Sequence, residues 1–353
     1  TLINAGTLSI DSAGDLGTGN LTLNGGSLAA TSTLTLAQSV TLAPGGGTFN
    51  VGSGKTLTLS GGFGAGSGTL TTAGLGTLNL TGSSLYTGDT VLGSGSTLQF
   101  SLPSDQAYSG NISGGGNLAV AAGSHTLTLG GTNTYTGTTS LLSGTLSLTG
   151  VDALGTGASS SSGLTLGSGT TLGLNFSGTL SNTHTITLSG AAGLAGSSTS
   201  TLNNNISLGG TLANADTGTL TLGGTLTGTG GLTQNSVGTL VLTGANSYSG
   251  PTSLTNGTLV AGGNSALGTG NLVLNGGTLD SQSAVTLSNN MSLTGNTQVG
   301  GSNDLTLNGS LSMGGGATLT DTDTGNVKLG GTLSGTGSLT EDTTGSLTLS
   351  GNN

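Results

Sequence analysis

Gly238-Thr239-Leu240-Val241-Leu242-Thr243-Gly244-Ala245-Asn246-Ser247-Tyr248-Ser249-Gly250-Pro251-Thr252 is the stretch that decides the architecture. Leu240 and Leu242 flank one residue, so an extended backbone puts both leucines on one face and Val241 on the other. The same three-residue unit recurs, with a polar centre, as Leu34-Thr35-Leu36, Leu57-Thr58-Leu59, Leu78-Asn79-Leu80, Leu127-Thr128-Leu129, Leu220-Thr221-Leu222, Leu305-Thr306-Leu307 and Leu347-Thr348-Leu349. No stretch carries the 3.6-residue period of an amphipathic helix. Glycine pairs close these strands: Gly61-Gly62, Gly130-Gly131, Gly209-Gly210, Gly223-Gly224 and Gly330-Gly331. Glycine tolerates positive φ, so the pairs are expected to turn the chain sharply. Strands this short and this numerous suit the coils of a solenoid better than a closed barrel or a sandwich. Each strand should then pair with its equivalents one coil above and below, about 4.8 Å away.

A longer period lies over the strand code. The quoted stretch returns from His125 as HTLTLGGTNTYTGTT, with Tyr135 in place of Tyr248, and from Gly76 as GTLNLTGSSLYTGDT, with Tyr86. All four tyrosines, Tyr108 included, stand two residues before a glycine. A tail, Asn256-Gly257-Thr258-Leu259, is echoed by Ser143-Gly144-Thr145-Leu146. Thr1 to Leu28 aligns without a gap on Thr252 to Leu279, and both copies carry Leu-Gly-Thr-Gly-Asn, at Leu16–Asn20 and Leu267–Asn271. Unequal spacing of the tyrosine copies implies that whole coils have been gained or lost. The repeats break near 1–88, 89–137, 138–250 and 251–353. The reading is one continuous stack over 1–353, a window of a longer array.

Composition narrows the function. Of 353 residues, 74 are glycine, 4% are charged and 2% aromatic, with no Trp or Cys. A hydrophobic content of 31% and its patterning separate the chain from disordered Gly/Ser-rich linkers. Glycine is not at every third position, which excludes collagen. The net charge of −10 is carried by twelve acids against Lys55 and Lys328. Two lysines form no basic stripe, so nucleic acid is excluded as a partner, as is polybasic adhesion to anionic lipid. No apolar run is long enough to span a membrane as a helix.

The repeat resembles the autotransporter-associated β-strand repeat of bacterial surface-protein passengers, whose pattern runs Gly-x-Leu-x-Leu-x-Gly-x-Asn-x-Tyr-x-Gly-x-Thr, a short gap, then Gly-Thr-Leu. Gly238 to Leu259 fits nearly throughout and the Tyr135 copy closely; in the Tyr86 copy Ser84 replaces the asparagine. The resemblance implies an all-β, right-handed parallel β-helix, exported across a bacterial outer membrane and displayed on the cell surface or released. The residues that carry it are Tyr86, Gly88, Asn133, Tyr135, Gly137, Asn246, Tyr248 and Gly250, read as structural. Each tyrosine should bury its ring at a corner and hydrogen-bond through its hydroxyl. The two asparagines are expected to form an amide ladder or to cap the turn.

No catalytic constellation emerges, and no cofactor is expected. Glycosidase chemistry needs paired carboxylates; the candidates are Asp321/Asp323, Glu341/Asp342 and Asp11/Asp15. The plainer reading of Asp321 and Asp323 is an acidic outward turn, with a weak calcium site as the alternative. His125 reads as a variable turn residue, and His184 has no second ligand at metal spacing. Gly314-Gly315-Gly316 lacks the lysine and the helix of a phosphate loop. Ice binding is the non-enzyme rival, because outward threonines recur; their drift to Asn79, Val241, Ser147 and Ser312 weighs against it.

The expectation is therefore an elongated solenoid. At roughly 20 residues per coil it holds about 17 coils and extends about 80 Å. It serves as a stalk or fibre of an extracellular adhesin or filament. Its partners are further solenoid repeats, joined covalently or stacked head to tail, with a possible host or neighbour-cell surface ligand at inserted loops.

Overall fold

A computed structural model describes residues 1–83, 86–156, 163–181 and 184–352. It is all-β: among these residues the one helical element is a 3-10 turn, Ala13–Leu16, capped by Ser12. The strands described pair in parallel, and the fold is a parallel β-solenoid of about 17 turns. Contacts divide the chain into two units, Thr1–Gly173 with Ser181–Thr185, and Leu174–Leu180 with Ile186–Asn353.

The first unit winds its coils past three ladders. One stacks Leu2–Ile3, Leu21–Leu23 and Val40–Leu42, extended by a bridge from Val40 to Phe63. The second stacks Thr7–Ile10, Ser27–Ala30, Gly47–Val51, Leu70–Gly74, Thr90–Leu92 and Ile112–Gly114. The third runs from Leu34–Leu36 through Thr56–Leu59, Thr77–Leu80 and Thr97–Phe100. It continues into the long strands Asn117–Leu129 and Thr139–Leu148. The second unit repeats the plan. One of its ladders joins Ala192–Gly196, Leu212–Asn214, Leu232–Leu242, Thr252–Ala261, Leu272–Leu274, Met291–Leu293, Leu311–Met313 and Leu333–Gly335.

The alternation in the sequence becomes columns. Leu220, Leu240, Leu259 and Leu279 stand in register and are fully buried. Burying one leucine contributes about 1.5–3 kcal/mol, and the column repeats that gain in every coil. Outside the same ladder, Thr199, Thr219, Thr239, Thr258 and Thr278 are also in register. The parallel outer row runs Thr201, Thr221, Val241, Val260 and Asp280, so the threonine lattice that ice binding needs stops after two coils.

The glycine pairs act differently from the expectation. Of the five pairs, only Gly62 lies in the left-handed region, at φ 71°. Gly61, Gly131, Gly209, Gly210, Gly224 and Gly331 are needed because adjacent coils meet backbone to backbone there, whereas Gly130, Gly223 and Gly330 face side chains of a neighbouring coil. Gly190, Gly210, Gly230, Gly250 and Gly270 form one such column: a Cβ on any of the last four would overlap the glycine one coil below. Positive φ is used instead at the corner before Thr-Leu, at Gly144 (80°) and Gly257 (63°). There the chain folds from one face to the next without leaving the ladder.

Candidate functional site

The motif residues assemble into a buried corner. Pro251 and Thr252 begin the next face, so Tyr248 sits at the turn with its ring fully buried; Tyr135 is buried likewise. Four residues on from each tyrosine stands a threonine, and the two hydroxyls meet: Tyr135 Oη with Thr139 Oγ1 at 2.6 Å, and Tyr248 Oη with Thr252 Oγ1 at 2.5 Å. Thr252 Oγ1 also donates to the carbonyl of Leu267 in the next coil. The threonines are members of the motif to which the sequence reading gave no role. The signal was the fixed Tyr-x-Gly-x-Thr spacing.

Asn133 and Asn246 form neither an amide ladder nor a cap of their own turn. Asn246 Oδ1 accepts from Leu226 N–H (2.8 Å) in the coil below, and its Nδ2 donates to Ala266 C=O (2.6 Å) in the coil above. Asn133 does the same with Ile112 N–H (2.7 Å) and Ala153 C=O (2.5 Å). A single carboxamide thus satisfies two backbone groups from coils on either side of its own. The carboxamide offers a donor and an acceptor on one short planar group, which an ionised aspartate or an apolar side chain does not. Gly137 and Gly250 let the corner close, because a Cβ would collide with Gly116 and Gly230 beneath.

The Tyr86 copy is built differently. Ser84 lies outside the described residues. Tyr86 joins an aromatic stack, with ring centroids 5.3 Å from Phe63 and 5.9 Å from Tyr108. Its hydroxyl accepts from Leu70 N–H (2.7 Å) and donates to the Asp89 carbonyl. Tyr108 Oη donates to Gly88 C=O (2.7 Å) and meets Thr90 Oγ1 (2.7 Å). A Cβ on Gly88 would fall 2.6 Å from the carbonyl oxygen of Gly68. The motif is also not tied to one face of the first unit. Thr77–Leu80, which opens the Tyr86 copy, shares its ladder with the strand from Thr139, which follows the tyrosine of the next copy.

Burial raises all four phenols above their ordinary range, Tyr86 and Tyr248 to about 12. A neutral, enclosed phenol is a poor nucleophile at physiological pH. These corners hold the backbone together.

The carboxylates occupy other places. Asp321 and Asp323 are buried rather than outward. Each supplies an acceptor that the corner backbone lacks: Asp321 Oδ1 takes Asp323 N–H (2.9 Å) and Asp323 Oδ1 takes Gly325 N–H (2.7 Å). Asp216, which the sequence reading passed over, takes Gly218 N–H in the same way (2.7 Å), and the shared signal is Asp-Thr-Gly. Desolvation pushes the Asp321 carboxyl up to about 6; its bond from Asp323 N–H opposes this, and Glu341, in register one coil above, adds to it. Desolvation likewise raises Asp216. Among the described residues no three of His, Asp and Glu gather as a metal-binding group. Asp15 is used to hold the Asp11 and Ser12 amides, and Glu341 and Asp342 are exposed. His184 is buried with Nε2 2.6 Å from the Gly155 carbonyl, and His125 stands 3.7 Å from Asp105. Three surface grooves of about 250–330 Å³ are lined by Gly, Thr, Asn, Gln, Ser and Ala, without a carboxylate.

The fold and its corners define a repeat β-solenoid. Residues 70–100, 120–148 and 232–261 match the passenger-associated-transport-repeat, so the chain carries three copies of an autotransporter passenger repeat. The last match spans the paired strands Leu232–Leu242 and Thr252–Ala261 from end to end. No curated protein and no solved structure matches the chain. The repeat and the fold support an autotransporter passenger-like structural domain.

Proposed function

We propose that this chain is the mechanical part of an exported bacterial surface protein: a stalk or fibre segment of an adhesin or filament, without a catalytic role. The supporting observation is where the chemistry-bearing side chains are spent. Asn133, Asn246, Tyr86, Tyr108 and His184 bind backbone groups inside the coils, Asp216, Asp321 and Asp323 do so through one oxygen each, and Tyr135 and Tyr248 bind the threonines of their own corners. Backbone ladders joined this way resist extension along their axis through many parallel hydrogen bonds, and further repeats, covalent or stacked head to tail, lengthen the same structure. Any ligand of a host or neighbouring cell would be held outside these corners. Protease shaving of intact cells, followed by electron microscopy of the released material, tests the reading. Rods with an axial repeat of about 4.8 Å are expected. Compact particles, or material reached only after cell lysis, would overturn it.

A further inference from the structure

Two corners of the second unit match bond for bond except at one pair of side chains. Asn214-Ala215-Asp216-Thr217-Gly218 is fixed to the coil below by Thr217, whose N–H and Oγ1 both donate to Gly196 C=O (2.9 and 3.2 Å). Asp321-Thr322-Asp323-Thr324-Gly325 is fixed in the same way by Thr324 on Gly301 C=O (3.1 and 3.3 Å). In each, the central aspartate takes the glycine N–H through Oδ1, at 2.7 Å both times. In each, Oδ1 of the first residue takes the N–H of that aspartate: Asn214 from Asp216 at 3.2 Å, Asp321 from Asp323 at 2.9 Å. The residue in register one coil above has the same skeleton too, Gln234 over Asn214 and Glu341 over Asp321.

The corners part at the second atom of the first side chain. Asn214 Nδ2 donates to Gln234 Oε1 at 2.7 Å, and this bond between two fully buried amides clasps their coils together. Asp321 carries Oδ2 in place of that nitrogen. Oδ2 is buried and no donor reaches it, while the carboxyl lies within hydrogen-bonding range of the Glu341 carboxyl. Two ionised carboxylates are both acceptors and both negative, so neither can supply the missing hydrogen. Nothing positive offsets them. Val299 stands beneath Asp321. The other charged groups around the corner are acids: Asp323 two residues on, Asp342 beside Glu341, Asp304, which accepts from Asn326, and Asp280 two coils below, close enough to act on Asp323. Lys328, on the strand that follows, is exposed between Thr306 and Thr348. Among the described residues no lysine or histidine is paired with either carboxyl.

We propose that Asp321 and Glu341 form a binding site for one proton, carried on Asp321 Oδ2 and donated to the Glu341 carboxylate, so that this corner is an acid-closed counterpart of the Asn214–Gln234 clasp. The proton does for Asp321 what the Nδ2 hydrogen does for Asn214: it gives the buried oxygen a partner and joins Thr318–Asp321 to Ser338–Glu341 through their side chains. When it leaves, two like charges face each other and the clasp opens, while the backbone bond from Asp342 N–H to Asp321 C=O remains. Desolvation, with Glu341 adding to it, raises the Asp321 carboxyl to about 6 in the folded chain, above the unfolded value near 4. The clasp is therefore complete below about pH 4 and is lost as pH rises through about 6. Asn214 and Gln234 do not titrate, so their clasp has no such window.

The test moves the acids as well as removing them. Hydrogen exchange of the full chain is read at about pH 5 and about pH 7.5, each amide being referred to its unstructured rate at that pH. In the parent chain, protection of the Asp323 and Asp342 amides should fall about tenfold between the two, the change that one proton bound with a pKa of about 6 rather than about 4 produces. Glu341→Gln should abolish most of the fall, because the new amide donates to Asp321 whether or not a proton is present. The double variant Asn214→Asp with Gln234→Glu should keep parent protection of the Asp216 amide at about pH 5 and gain a fall of similar size at about pH 7.5. A full fall retained in Glu341→Gln would show Asp321 titrating alone and would overturn the shared proton. A double variant that is loose already at about pH 5, or equally protected at both, would overturn it too.

Discussion

Replacing Asn246 with alanine removes one side chain and strands two backbone groups that belong to other coils. Leu226 N–H and Ala266 C=O both lose their partner, and both lie in the interior of the corner. An unmet buried polar group costs about 1–3 kcal/mol, and partial collapse of the coils onto the vacancy recovers some of it, so the expected loss is about 2–4 kcal/mol. At 1.4 kcal/mol per factor of ten, that is roughly thirty- to seven-hundred-fold less protection for the Leu226 amide. Native-state hydrogen exchange is the right assay, because a repeat array need not melt in one step and a single Tm would average over coils that never feel the change. Tyr248→Phe is the companion variant. It deletes one hydroxyl, but Thr252 keeps its bond to Leu267, so the expected cost is only about 1 kcal/mol. An Asn246→Ala chain whose Leu226 amide exchanges at the parent rate would refute the three-coil bridge, and with it the reason given for the asparagine.

Gly250→Ala should destabilise by about 1–3 kcal/mol or more through overlap with Gly230. Gly263→Ala, at ordinary φ with open space around its Cβ, should be neutral or gain about 0.4–1 kcal/mol, and urea titration separates the two. The Asp321 carboxyl is raised in the folded state, so its contribution is complete below the unfolded pKa near 4 and is lost as pH rises through about 6. Limited proteolysis of the coils around Thr318–Glu341 should therefore quicken between about pH 4.5 and about pH 7.5, and Asp321→Asn should remove the dependence. Alkaline titration followed at the phenolate absorbance should show almost no ionised tyrosine near pH 10 in the folded chain, against four phenols each about half ionised in urea; a substantial native phenolate signal at pH 10 would contradict the burial of the corners.

The strands were legible because Leu-x-Leu states its own period, and the tyrosine corner because three copies repeat it. What each residue touches was not legible, since a partner one coil away is some twenty positions off along the chain. Asn246 looked like a turn former because asparagine commonly is one; its partners at Leu226 and Ala266 lie outside any local window. Asp321-Thr322-Asp323-Thr324-Gly325 looked like a solvated turn for the same reason, yet the corner needs its acceptors inside. The glycine column was open to reading. Gly190, Gly210, Gly230, Gly250 and Gly270 fall at a fixed interval of one coil, a phase that strand-by-strand scanning passes over.

The asparagine bridge also bears on how such an array can grow or shrink over generations. In a ladder held only by nearest neighbours, excising one coil leaves its two former neighbours free to rejoin. Across Leu226, Asn246 and Ala266 rejoining asks for more, because the turn that moves in must also present an amide below the carboxamide or a carbonyl above it. Loss or gain of a coil is therefore expected to be rarer next to these corners than in the plainer Leu-Thr-Leu coils between them.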